Sequence, residues 1–336
     1  MTPVTLRRGE ALKIVDGART ETVARADWPA RLDALLAGAR NVHLLGPEGD
    51  VHARRTKKGK WLVSHGRPSS EEQPPGAHDR AAKRPLADDH PLFRITHASR
   101  DKRRQVQHYV ELLRALPVWG RERIAVVDAG CGKADMSLAL VAYGREAGTR
   151  VELVGLDVNP SVIETVRGLA GELGYDEARF EATPIAAYES VEPVDLLVSL
   201  HACDTATDEA IAAGVRLGAT AIVVVPCCHH ELAAQLADGD RDAILRHGLL
   251  LGRQADLITD ALRACALELM GYRVDVVEFV SAEHTAKNVM LRAELDPSPQ
   301  RTERARHDYL DLRDRFGVRP AIERLLTLPL EATIAS

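Results

Sequence analysis

A parallel α/β sheet with helices on both faces is the fold this sequence predicts, and three observations predict it. From Arg123 onward short apolar runs alternate with amphipathic stretches, the first run empties into a glycine-rich turn, and the last two runs are too closely linked for a crossover. Ile124–Val127 predicts a buried strand, Lys133–Tyr143 a helix and Val151–Leu156 a second strand. Ser161–Leu173 predicts a helix, and Arg179–Ala182 a short third strand. Val194–Leu200 and Ala219–Val225 are further strands, separated by a helix over Thr205–Leu217. A long helical region then reaches about Met270. Tyr272–Val280 and Asn288–Leu295 follow it as strands, and their short link makes them an antiparallel pair. The count is seven strands, with the last one reversed.

The front of the chain is different in kind. Up to about Leu45 short helical and extended patterns mix, with residues 28–36 the clearest amphipathic stretch. Arg54-Arg55-Thr56-Lys57-Lys58-Gly59-Lys60 reads as a basic turn entering a short strand, and residues 66–87 read as a flexible connection rich in Pro, Gly, Ser and Glu. A helix is expected from Asp101 to Leu116, with Lys102, Arg103 and Arg104 at its head. The net charge is −5, yet residues 51–110 carry 14 Lys/Arg against 6 Asp/Glu, about +8, which leaves the remainder near −13. Three parts are therefore expected: a small basic N-terminal domain over 1–99, a catalytic domain over 100–297, and C-terminal helices over 298–336. Five cysteines without a secreted spacing, no apolar run of about 18 residues and no leader predict a cytoplasmic protein that does not enter the membrane.

The first strand runs into Asp128-Ala129-Gly130-Cys131-Gly132-Lys133-Ala134-Asp135. Small residues at Gly130, Gly132 and Ala134 let the chain turn sharply and bring a ligand against bare backbone, with the amides of the next helix facing it. A dinucleotide fingerprint would have glycine where Asp135 stands. A pyrophosphate is repelled there, whereas a cationic sulfonium with a free amine is tolerated. The second strand ends in Gly155-Leu156-Asp157-Val158, where an acid can take both ribose hydroxyls. The third ends near Thr183-Pro184, where adenine would lie.

The fourth and fifth strands should be neighbours. Their turns, His201-Ala202-Cys203-Asp204-Thr205-Ala206-Thr207-Asp208 and Pro226-Cys227-Cys228-His229-His230-Glu231, then meet at one rim. Glu283-His284-Thr285-Ala286-Lys287-Asn288 should close the same rim after the sixth strand. With the glycine turn, the His-x-Cys-x-x-Ala-Thr-Asp turn and the Cys-Cys-His-His run, residues 124–231 resemble a family of Rossmann-like S-adenosylmethionine-dependent methyltransferases. That family includes the eukaryotic tRNA acceptor-stem 2′-O-methyltransferases and their methyltransferase-like relatives. The resemblance implies a seven-stranded methyltransferase sheet with an antiparallel last strand, and S-adenosyl-L-methionine as cofactor. Asp204 stands where the tRNA enzymes usually have glycine, Glu231-Leu232 replaces a basic residue and a cysteine, and no zinc-finger RNA-binding element has a counterpart.

Asp128, Gly130, Cys131, Gly132, Ala134, Asp157, Val158, Thr183, Pro184 and His201 are the expected cofactor contacts. Methyl transfer is an in-line displacement, and a ribose hydroxyl must lose its proton as the bond forms. Histidine suits that step, which makes His229 or His230 the expected base, with Asp204 or His201 orienting it or the substrate. Cys227 and Cys228 are expected to line the pocket. Cys203, Cys228, His201 and His230 could surround zinc, but no Cys-x-x-Cys spacing is present, adjacent cysteines chelate one ion awkwardly, and no metal site is assigned. RNA is the expected partner, through Arg54, Arg55, Lys57, Lys58, Lys60, Lys102, Arg103 and Arg104, with Lys287 nearer the reacting nucleotide. The alternatives are a methyltransferase for a small molecule or a protein side chain, and a module that binds cofactor or RNA without catalysis.

Overall fold

The computed structural model describes residues 4–7, 11–16, 19–24, 27, 30, 41–45, 50–56, 60–66, 84–200, 202–238, 244–279 and 288–330. They fall into two compact units, Met1–Lys83 and Arg84–Ser336. In the smaller unit β1 (Val4–Arg7), β2 (Ala11–Asp16), β3 (Arg19–Ala24), β4 (Asn41–Leu45), β5 (Asp50–Arg55) and β6 (Trp61–Gly66) form one sheet in the order β3-β2-β1-β4-β5-β6. Strands β1 and β4 pair parallel, and the other neighbours pair antiparallel. The basic stretch after Arg54 falls between β5 and β6, which pair antiparallel with Arg55 opposite Trp61. Of the amphipathic stretch 28–36 only Ala30 is described, and Lys57 and Lys58 also lie outside the described residues.

The larger unit is built on a seven-stranded sheet. Its strands are β7 (Arg123–Ala129), β8 (Arg150–Asp157), β9 (Ala178–Ala182), β10 (Leu196–Ser199), β11 (Ala221–Val224), β12 (Tyr272–Glu278) and β13 (Val289–Leu295), in the order β12-β13-β11-β10-β7-β8-β9. Strand β13 runs antiparallel to both neighbours, as its short link to β12 requires. Every residue of β10 and β11 is buried, which follows from helices on both faces.

One face is covered by α1 (Pro91–Ile95), α2 (Arg100–Leu113), α3 (Asp135–Ala147) and α4 (Pro160–Leu173). The other carries α5 (Thr205–Arg216), α6 (His230–Asp238), α7 (Gly248–Leu269), α8 (Pro299–Phe316) and α9 (Ala321–Leu326). The single helical region expected before Met270 is thus two helices, α6 and α7.

The division between the units falls sixteen residues earlier than the expected boundary at 99/100. The reason is apolar burial: Leu86, Leu92 and Phe93 share one core cluster with Val106, Tyr109, Val110 and Leu113 of α2. The Gln107 side chain fastens that lead-in segment, since Nε2 donates to the Leu86 carbonyl at 2.6 Å and Oε1 accepts from the Leu86 amide at 3.1 Å. The C-terminal helices also belong to the large unit, with Ala305, Tyr309, Val318 and Ile322 buried in the second cluster. Among the described residues no helix is long and apolar enough to cross a membrane.

Candidate active site

The turn after β7 has the conformation its small residues permit. Gly130 (φ +78°), Gly132 (φ +50°) and Ala134 (φ +53°) are all left-handed. A Cβ at Gly130 would stand 3.4 Å from the Ala202 amide and Cβ, an ordinary contact, so it is the left-handed backbone that calls for glycine where the first and fourth strands deliver their turns. Hydrogen bonds hold this turn to the end of β8. The Gly130 and Cys131 amides donate to the Leu156 carbonyl at 2.9 and 2.8 Å, and the Gly132 amide donates to Asp157 Oδ2 at 3.1 Å. Asp157 Oδ1 accepts from the Asn159 amide at 2.9 Å, and the Asp157 carbonyl accepts from the Thr183 amide at 3.0 Å. Asp157 therefore joins the ends of the first three strands. Each carboxylate oxygen still has a lone pair for a ribose hydroxyl. Val158, an expected cofactor contact beside it, is 70% exposed. Cys131 is fully buried, and burial pushes its thiol up, with Asp128 and Asp157 adding to the effect.

Asp128 is buried at the foot of this turn. The Ser137 hydroxyl donates to its Oδ2, while Oδ1 has no partner among the described residues. Burial pushes this carboxyl up to about 7, the Ser137 hydroxyl pulls it down, and Asp157 raises it further. The Tyr109 hydroxyl is also buried without a hydrogen-bond partner, and burial followed by the charge of Asp128 holds it well above the usual phenol range. An orphaned acid ahead of a bare-backbone turn fits a ligand that carries both a sulfonium and an ammonium group.

Strands β10 and β11 are neighbours in parallel register, so their turns do meet. His201 lies outside the described residues, as do residues 280–287, including Lys287. Cys203 Sγ lies 2.8 Å from Cys227 Sγ, and Cys227 Sγ lies 3.8 Å from Cys228 Sγ. Burial pushes the Cys227 thiol up to about 12, helped by its two thiol neighbours. Asp204 is strained, with φ +56° and ψ −125°. Its Oδ1 accepts from the Glu231 amide at 3.1 Å and so caps the first turn of α6. Glu231 is raised by burial and by Asp208, then lowered by a backbone contact with Ala321 and by Arg324, and raised again by Asp204.

The two candidate histidines separate. His229 is buried, with Nδ1 at 2.7 Å from Asp256 Oδ1 and Nε2 at 2.9 Å from Asp260 Oδ1. Neither ring nitrogen is turned outward. His230, the first residue of α6, is exposed. Behind His229 the buried Arg263 donates from Nε and Nη2 to Asp208 at 2.8 Å each, from Nη2 to the Asp204 carbonyl at 2.9 Å, and from Nη1 to Asp260 at 3.3 Å. Sequence reasoning missed Asp256, Asp260 and Arg263 as parts of this site. The available signal was their spacing, which puts three charges on a side of α7 that also buries Ala255, Ile258, Thr259 and Leu262.

The cations at the head of α2 are largely committed within the protein. Lys102 Nζ lies 3.6 Å from Asp135, and Arg104 pairs with Asp101 at 3.6 Å. Arg103 donates to the Ala98 and Asp88 carbonyls at 3.0 and 3.2 Å and covers the Phe93 ring. Arg55 and Lys60 are exposed in the smaller unit, where the Arg55 guanidinium stands 5.8 Å from the Trp61 ring centre. The Arg54 backbone belongs to β5.

Residues 101–235 match a family model described as a methyltransferase domain. The chain carries a methyltransferase domain. Solved structures of similar fold include an rRNA methylase from Streptococcus thermophilus, 12% identical, covering 59% of this chain and 98% of that one, with a TM-score of 0.35. A SAH-bound methyltransferase of Podospora anserina is 16% identical and covers 61% and 86%, with a TM-score of 0.38. Magnesium protoporphyrin IX methyltransferase of Synechocystis, solved with bound SAM, is 15% identical and covers 60% and 88%, also at 0.38. Likenesses this distant decide nothing about the acceptor of this methyltransferase.

Proposed function

We propose that the methyltransferase modifies a structured RNA, tRNA or rRNA, at a ribose 2′-hydroxyl, and that the protein works in the cytoplasm. The observation that carries the RNA reading is the β5–β6 hairpin, where exposed Arg55 and Lys60 flank Trp61 in a segment of about +8. Cation and ring together suit a phosphate backbone and a stacked base. S-adenosylmethionine supplies an electrophilic methyl group when bound. In this reading Asp128, the glycine turn, Asp157, Val158, Thr183 and Pro184 hold it, and the rim residues handle the acceptor.

His230 takes the hydroxyl proton, because it is the exposed imidazole at the head of α6. His229 is a positioning residue, gripped by Asp256 and Asp260, and it steadies the turn from which His230 and the cysteines project. Cys227 and Cys228 line the acceptor pocket beside it.

Mass spectrometry of nucleosides from a deletion strain tests the substrate. Loss of one ribose-methylated nucleoside, restored by the intact gene and not by its His230→Ala form, is the expected result. The purified His230→Ala protein should turn over about 100- to 10,000-fold more slowly with cofactor affinity retained. An unchanged nucleoside profile together with a methylated small molecule or protein would replace the RNA reading.

A further inference from the structure

Three of the five cysteines are brought together by the sheet. Ser199 and Val224 pair at the ends of β10 and β11, and the turns that leave those ends carry Cys203 four residues on from Ser199, and Cys227 and Cys228 three and four residues on from Val224. Their three Sγ atoms all lie within 4.8 Å of one another, and among the described residues the group holds these three possible ligands alone. The remaining thiols stand apart, with Cys131 buried under the cofactor turn and Cys265 on α7.

We propose that Cys203, Cys227 and Cys228 hold a thiophilic divalent cation of the zinc class at the carboxyl edge of β10 and β11, with one coordination position left open. Tetrahedral zinc takes thiolates at about 2.3 Å, which sets neighbouring sulfurs about 3.8 Å apart. The Cys227–Cys228 separation is already 3.8 Å, and the Cys203–Cys227 separation of 2.8 Å must widen by about 1 Å to reach the tetrahedral value. Cys203 is exposed and gives the ion a way in. Neutral thiols are weak donors and weak acceptors, so three of them facing one another gain little without a cation. On binding, three Sγ–metal bonds form and the three thiol protons leave to solvent. Among the described residues the three protein ligands are one fewer than a closed structural site uses, and the fourth position is left to water or to an incoming group. Adjacent cysteines do chelate awkwardly on one flexible loop. Here Cys203 arrives from a second, separately anchored turn, so the ion is held by two strand ends.

The test uses the full chain, expressed with added zinc and purified with reductant and without chelator. Elemental analysis should find about one zinc per chain. The Cys203→Ser/Cys227→Ser/Cys228→Ser variant should fall to background, and Cys265→Ser should keep its metal. Cobalt(II) titrated into stripped protein should give a near-ultraviolet thiolate-to-metal band that the triple variant lacks. Because the triple variant could misfold, Cys203→Ser is read separately by circular dichroism and cobalt titration. It should stay folded and bind cobalt at least ~10-fold more weakly, the lower figure for disturbing even an outer partner of a metal ligand. Two outcomes overturn the proposal: no stoichiometric zinc and no cobalt band in the reduced wild type, or metal retained by the triple variant. None of these readouts involves methyl transfer, so the outcome is separate from the RNA reading.

Discussion

Asp128 and Asp204 each show a residue whose position sets its chemistry. Burial holds the Asp128 carboxyl at about 7 against an ordinary 3.8. Between those values the native chain binds more protons than the unfolded one, so stability should fall as pH rises through that window and level off above it. A cationic ligand beside the orphaned Oδ1 opposes the burial penalty and drives the proton off. Cofactor affinity should therefore rise with pH across about 6 to 8, with proton release visible by calorimetry in buffers of different ionisation enthalpy. Asp128→Asn should flatten both responses, and a wild type that releases no proton would place the cofactor elsewhere. At Asp204 a left-handed backbone is occupied by an acid that caps α6. Asp204→Ala loses the cap and keeps the strain, whereas Asp204→Gly loses the cap and relieves it. The glycine variant should be the more stable of the two by about 1–2 kcal/mol in urea titrations, and equal stabilities would remove the strain argument.

Helix α7 is apolar along its core side except where it supplies charge to the rim. Arg263 is 1% exposed and bound to Asp208, Asp260 and the Asp204 carbonyl, so it ties α7 to the start of α5 and to the turn before α5. Replacing it strands two acids in a low-dielectric interior. Arg263→Met should cost about 3–5 kcal/mol of stability, measured as a shift in urea midpoint at constant slope. Adding Asp208→Asn should return part of that loss, since one buried charge is then gone. Additive losses would mean that the two side chains do not act as a pair.

At the scale of the molecule, a basic β-rich unit precedes a catalytic unit with a complete core of its own. If the first unit engages phosphates, its contribution is electrostatic and falls with salt. Changing Lys57, Lys58 and Lys60 together to Ala should reduce the magnitude of the slope of log affinity against log salt, by about 0.7–0.9 for each phosphate no longer neutralised. Cofactor affinity should stay at its wild-type value, because the cofactor residues all lie in the other unit. Filter binding of a transcript over a salt series reads the slope. A wild type that fails to bind RNA at low salt would end this reading.

Sequence alone determined the alternation of strands and helices, the reversal of the last strand, and the glycine turn followed by Asp157. Each is a local pattern: a period of apolar residues, a link length, or a residue type that a backbone angle requires. Amphipathic periodicity also marked α2, but it could not show that Leu86, Leu92 and Phe93 join its core, since that depends on packing between segments. The rim shows the same division. Cys203, Cys227, Cys228, His229 and His230 were visible as a dense polar sequence, while their roles were not. Tertiary structure decided that His229 turns inward to Asp256 and Asp260 and His230 outward, and that three thiols converge. Parallel register between β10 and β11, and the placing of α7 behind them, bring together groups from 24 to 59 positions apart. No local preference encodes contacts of that range, and they form only when the sheet buries both of its faces.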